Sequence, residues 1–114
     1  MNNRGNINGP NGQSGSLLWI DIDSDHTVSE LDAGAVVEVS SAGAVVITLP
    51  ANAPTAGFYC HVDRVGAGTV QFVAGVGASI QSTAGNTPSI ADQYGGATIT
   101  KARGNVWKVQ GGIS

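Results

Sequence analysis

Charge is what this sequence has least of: Asp, Glu, Lys and Arg together make up 11% of its 114 residues, against about 25% in an ordinary soluble domain. The surface must therefore be dressed in Ser, Thr, Asn, Gln and Gly, and much of it is expected to face protein. Bases are scarcest. The five of them, Arg4, Arg64, Lys101, Arg103 and Lys108, are scattered along the chain, so the basic stripe that a phosphate-backbone binder needs is missing and nucleic acid is not expected as a partner. Cysteine is nearly absent as well. A single Cys60 excludes an internal disulfide and a multi-cysteine metal cluster. No apolar run approaches the roughly 20 residues of a membrane-spanning helix, and the first residues, MNNRGNINGPNGQSGS, lack the apolar segment of a secretory signal. Neither a membrane nor export is expected, and synthesis in the cytoplasm follows.

What is present is β-branched. Leu, Ile, Val and Phe account for 27 of the 114 residues, above the roughly 20% floor under which chains stay disordered. The length fits one folding unit. Residues 1–16 are rich in Gly and Asn and nearly free of large apolar groups, which marks an extended arm unable to fold alone. Asn3, Arg4, Ile7 and Pro10 are its candidate contact residues. From residue 17 to 114 short alternating runs are separated by Gly, Pro, Asn and Ser, the spacing of a single β domain.

Strands are predicted at 17–22, 35–40, 44–49, 57–64, 68–74, 77–81, 96–102 and 105–110. Alternation puts Val45, Ile47, Leu49, Phe58, Cys60, Val62, Val70 and Phe72 inside, with Tyr59, His61, Asp63, Thr69 and Gln71 outside. Glycines in SAG at 41–43, VGAG at 65–68 and RGN at 103–105 predict three antiparallel hairpins. Pro50 and Pro54 bracket a loop that continues neither strand, and TPSIADQY at 87–94 is expected to hold one helical turn. The fold class expected is all-β: an antiparallel sandwich or small barrel of about eight short strands.

Chemistry is hard to find in this pattern. DIDSD at 21–25 starts like a calcium loop, which would use Asp21, Asp23, Asp25 and Asp32, but His26 stands where a sharp turn wants Gly. A strand end running into a polar loop explains it better. Cys60 and His61 are neighbours in a strand and so point to opposite faces, which excludes a thiolate and imidazolium couple. No other nucleophile is paired with a histidine by spacing, and no enzyme, cofactor or metal is expected. The glycines of GVG and GAG lack the strand-to-helix setting and the Lys-Ser/Thr ending of a phosphate loop. Trp19, Tyr59, Tyr94 and Trp107 could form a sugar-stacking platform; Trp19, Tyr59 and Trp107 are also candidate subunit contacts, Trp107 being expected in the core or at such a contact.

The stretch ITLPANAPTAGFYCHVDRVGAGTVQFVAGVGASIQS, continued by DQYGGATITKARGNVWKVQGG, resembles a β-rich module of tailed-bacteriophage virion proteins. Shared features are an I-T-L-P turn leading to a G-F strand, a G-A-G-T-V hairpin, an F-x-A-G-x-G-x-x-I segment, a Q-Y turn, an A-T strand, a Gly-Asn hairpin and a Trp-bearing last strand. The resemblance covers roughly residues 35–112. It implies a structural role in a virion. A lone module with an arm further suggests a capsid decoration, or cement, protein, bound to the major capsid protein on the capsid surface and self-associated as a homotrimer. The alternative is a tail-fibre or tail-tip module that reads host-surface carbohydrate or a receptor through loops 50–57 and 82–95.

Overall fold

A computed structural model describes residues 18–114. The described residues are 49% strand and 3% helical. Among the described residues nine strands form: β1 (Leu18–Ile22), β2 (His26–Thr27), β3 (Ala35–Val39), β4 (Val45–Leu49), β5 (Tyr59–Arg64), β6 (Val70–Ala74), β7 (Ser79–Gln81), β8 (Gly96–Arg103) and β9 (Val106–Gly111), with a 3-10 turn, Glu30–Asp32, between β2 and β3. All eight expected strands are present within two residues of their predicted ends, because inward β-branched and aromatic positions alternate with polar ones in each. The short β2 is the addition.

The pairing departs from the expectation. One sheet has six strands in the order β1-β3-β5-β8-β9-β7, and a second has three in the order β2-β4-β6. Parallel ladders join β1 to β3, β3 to β5, β2 to β4, β4 to β6 and β7 to β9; only β5–β8 and β8–β9 are antiparallel. The sheets are therefore mixed, not antiparallel. Of the three expected hairpins only the one at Gly104, with φ +50, turns back on its own sheet. SAG and VGAG are corners instead, where the chain leaves the six-stranded sheet and enters the other.

Those corners stack. Val36 pairs with His61 in one sheet and Val45 with Val70 in the other, so both ladders carry the same offset of 25 residues. Strand, corner and strand of one unit thus lie on strand, corner and strand of the next. The corners bond through the main chain, Gly68 N–H to Ser41 O at 3.0 Å, Gly66 N–H to Val39 O at 3.0 Å and Val45 N–H to Thr69 O at 2.8 Å. Gly66 and Gly68 permit this approach: a Cβ on Gly66 would lie 2.7 Å from the Ser41 backbone, and one on Gly68 would fall on the Gly43 carbonyl. Here glycine is required for space.

Inward faces of both sheets meet in one core that includes Val37, Val39, Cys60, Val62, Ile99 and Trp107 from the larger sheet and Val45, Ile47, Leu49, Val70 and Phe72 from the smaller. Every residue predicted inside is buried. Residues 87–94 hold no helical turn. Of these, 88–90 run as an extended strap along β6, with Phe72 N–H donating to Pro88 O and Ile90 N–H to Val70 O, both at 2.9 Å, before a turn at 92–94. Pairing with an open strand edge offered this segment more hydrogen bonds than one isolated turn.

Candidate functional site

Exposed apolar side chains gather at one end of the six-stranded sheet. Leu18 and Trp19 open β1 and lie beside Ala35 and Val36 of β3. Leu31 sits in the 3-10 turn just before β3, and Gly34 N–H donates to Tyr59 O at 2.8 Å, which brings the start of β5 alongside. Leu18, Trp19, Leu31 and Tyr59 are 52%, 57%, 81% and 57% exposed. Successive strand residues point to opposite faces, so Trp19, in register with Val36, shares the outer face with Tyr59 while Leu18 points the other way. Large exposed apolar groups concentrated at one end of a domain are the mark of a contact surface. The chain enters this end directly from residue 17.

The turn that presents Leu31 is firmly built. Ser29 caps it: Ser29 Oγ accepts from Leu31 N–H at 3.3 Å, and the Asp32 carboxylate accepts from Ser29 N–H at 2.9 Å. Asp32 is buried, and His26 Nε2 lies 2.9 Å from the same Oδ2 that accepts from Ser29 N–H. Thr55 N–H donates to Glu30 Oε1 at 3.2 Å, tying the loop after β4 to the same turn.

On the outer face of the sheet, a row of side chains crosses the strands beside this patch. His61 Nε2–H donates to Asp63 Oδ1 at 2.7 Å, and His61 Nδ1 lies 3.2 Å from Thr98 Oγ1. Gly96 opposite Asp63 leaves room for the pair, since a Cβ there would stand 2.7 Å from His61 Nε2. A hydroxyl, an imidazole and a carboxylate are thereby linked, which spacing along the chain did not reveal; the signal was the outward register of Thr98 on β8. The three lie along strands whose amides serve the ladders.

The predicted site residues part company in the structure. Asn3, Arg4, Ile7 and Pro10 lie outside the described residues. Trp19 and Tyr59 are surface neighbours of the apolar end. Trp107 is fully buried, edge-on to Phe58 with ring centroids 5.6 Å apart, so it is a core residue and not a subunit contact. The carboxylates of the calcium-like stretch do not converge: Ser40 Oγ–H donates to Asp21 Oδ1 at 2.9 Å, Val46 N–H to Asp25 Oδ1 at 2.8 Å, and Asp32 serves the cap. Among the described residues no three His, Cys, Asp or Glu side chains are grouped to hold a metal ion. Cys60 and His61 do point to opposite faces, and burial, with the negative Asp32 second, pushes the Cys60 thiol from 9.0 up to about 12.

Loop 50–57 is pinned from below by a residue that sequence reasoning missed. Lys101 is buried and donates from Nζ to Ala51 O at 2.5 Å and Pro54 O at 2.7 Å, while Trp107 Nε1–H donates to Pro50 O at 2.9 Å. The ammonium also lies 5.7 Å from the Trp107 ring centroid. Loop 82–95 presents Tyr94, 78% exposed and at φ +68. Arg64 ties that loop to the second corner, its guanidinium donating to Ala91 O at 3.3 Å and Ala67 O at 2.7 Å. No helix among the described residues is long and apolar enough to cross a membrane. The chain matches no protein-family model, no curated protein and no solved structure.

Proposed function

We propose that this chain is a structural protein of a tailed-phage particle, a capsid decoration protein that lies on the assembled shell and holds its subunits together. The observation that carries the reading is the pair of exposed aromatics Trp19 and Tyr59 on the outer face of the six-stranded sheet, with Leu18 and Leu31 also exposed at the end where β1 begins. Support comes also from the resemblance over residues 35–112 and from the low charge of the surface. Uncharged groups lose little solvation on contact, so such a surface meets another protein at small desolvation cost.

The major capsid protein is the partner in this reading, and self-association as a trimer adds avidity over many equivalent sites. Binding to the assembled shell but not to separated subunits stabilises the shell by mass action. The domain acts as a two-sheet sandwich in which the six-stranded sheet carries the contact. No chemistry is assigned to it, and Thr98, His61 and Asp63 serve as a surface tether between β5 and β8.

The test is decoration of purified shells by the full-length protein, by a Trp19→Ser/Leu31→Ser variant, and by a chain lacking residues 1–16. Each variant is expected to lower occupancy at least about 10-fold at equal concentration, the effect of losing one or two apolar anchors. Wild-type occupancy by both variants overturns the reading. A second reading, a tail-fibre module binding host-surface carbohydrate, is favoured by Tyr94, an exposed aromatic held at positive φ where strain accompanies function. Binding of the isolated protein to host cells, lost in Tyr94→Ala, would select it.

A further inference from the structure

At the opposite edge of the six-stranded sheet, β7 ends after three residues while β9 runs on to Gly111. The notch left where β9 outlasts its neighbour is a cavity of about 400 Å³ lined by residues 81–83 and 108–111, Val109 being the apolar member. Its volume lies within the usual range for small-molecule sites. Lys108 and Gln81 are register partners, so the ammonium and the amide stand side by side on adjacent strands.

Four ionisable side chains elsewhere in the fold are engaged internally. Lys101 holds loop 50–57, Arg64 holds the strap, Asp32 caps its turn and His61 is tied to Asp63. In the notch only the Ser82 hydroxyl is so used, donating to Gly85 O at 2.6 Å and accepting from Ala84 N–H at 3.1 Å. Gln81, Thr83, Lys108 and Gln110 are all exposed, and no hydrogen bond from another described residue engages their side chains. They contribute two amides, one hydroxyl and one ammonium around a single hollow, and the lining contains no carboxylate. Its formal charge is positive in a chain whose net charge is −3.

We propose that this notch binds a carboxylate-bearing sugar residue, a uronic or nonulosonic acid, as part of an acidic glycan. The Lys108 ammonium takes the carboxylate as a charge-assisted pair, and the amides of Gln81 and Gln110 with the Thr83 hydroxyl serve the ring hydroxyls, donating or accepting as each requires. A neutral sugar would leave the ammonium without its counter-charge. A nucleotide phosphate would need more cationic partners than one lysine supplies. The inference is independent of the decoration reading: loss of sugar binding leaves shell occupancy unchanged, and loss of shell binding leaves the notch intact.

The experiment is titration of the full-length protein with galacturonic acid and N-acetylneuraminic acid, with glucose and N-acetylglucosamine as neutral probes, followed by amide shifts in the NMR spectrum. At least one acidic probe is expected to saturate with shifts centred on 81–83 and 108–111, and to bind about 10-fold or more tighter than either neutral probe. Lys108→Met is expected to weaken it about 10- to 100-fold with the spectrum otherwise native, as the loss of a charged hydrogen bond requires. Gln110→Ala, at an exposed position that leaves the fold alone, is expected to weaken it less. No saturable shift with either acid at millimolar concentrations, equal binding of neutral sugars, or undiminished binding by Lys108→Met each overturns the proposal.

Discussion

Replacing Gly68 with alanine puts one methyl group where two stacked corners touch. A Cβ at this position would lie 2.9 Å from the Ala42 carbonyl carbon and fall on the Gly43 carbonyl oxygen. Both obstacles are backbone, so no rotamer change relieves them, and the corners must part by about an ångström or more to restore van der Waals contact. That movement breaks or stretches the bonds from Gly68 N–H to Ser41 O and from Val45 N–H to Thr69 O, now 3.0 and 2.8 Å. Two backbone bonds at about 1 kcal/mol each, with about 1–3 kcal/mol of overpacking, give a loss of about 3–5 kcal/mol. The reduced entropy of the unfolded alanine chain returns less than about 1 kcal/mol of it. For a domain of this size the midpoint should fall by roughly 12–30 °C.

Gly43→Ala is the matched control, because a Cβ there meets only Ser41 Oγ, at 3.9 Å. It should stay within about 0.5 kcal/mol of wild type. Urea unfolding followed by far-UV circular dichroism and by Trp107 fluorescence measures both. If the two variants differ by less than about 1 kcal/mol, the corners are not in contact and the stacked description of the fold is wrong.

Two further outcomes follow from groups buried in the core. Lys101→Met keeps the volume but removes both donors to Ala51 O and Pro54 O; a loss of about 3 kcal/mol, with faster amide exchange confined first to 50–57, is expected from two hydrogen bonds to a charged group, and unchanged exchange in that loop would count against the pinning role. Cys60 should resist alkylation at pH 8 in the folded protein, and because its thiol is held up at about 12 against 9.0, its contribution is complete below pH 9 and lost as pH rises from 9 toward 12. The unfolded chain releases that proton first, so the slope approaches about 1.4 kcal/mol per pH unit in this window. Cys60→Ala should flatten the curve relative to wild type, and a parallel pair of curves would show the thiol to be accessible.

The strands were legible in the sequence because period-two alternation states which side of a strand is wet, and that is a local property. Where a strand goes next is not local. SAG and VGAG both contain the glycine a hairpin uses, and nothing within them says whether the chain folds back or crosses to another sheet. The discriminating signal was their repetition: VVEVSSAGAVV and HVDRVGAGTVQ superpose in phase at the spacing of the parallel ladders. For residues 87–94, Pro88 suggested a helix start, yet the open edge of β6 supplied hydrogen-bond partners that no short window could display. Lys101 looked like one of a few scattered bases and became a strut because its outward-polar expectation lost to the carbonyls of a loop about 50 residues earlier in the chain.

The contact surface was partly visible. Tyr59 had to face outward once Phe58 and Cys60 were assigned inward, and its exposure follows that rule. Trp107 obeys the same alternation, with Val109, and the core claimed it. Leu31 carried no periodic signal, since it stands alone in the turn before β3, and its nearness to the start of β1 follows only from the parallel pairing of β1 with β3.

The shared 25-residue step has a consequence for how such a chain changes over generations. Inserting or deleting one whole step would add or remove a storey without altering the β8–β9 hairpin beyond β5 or the strap beside β6. Length variation should therefore arrive in units of that step, and relatives taller or shorter by one storey would keep the same roof.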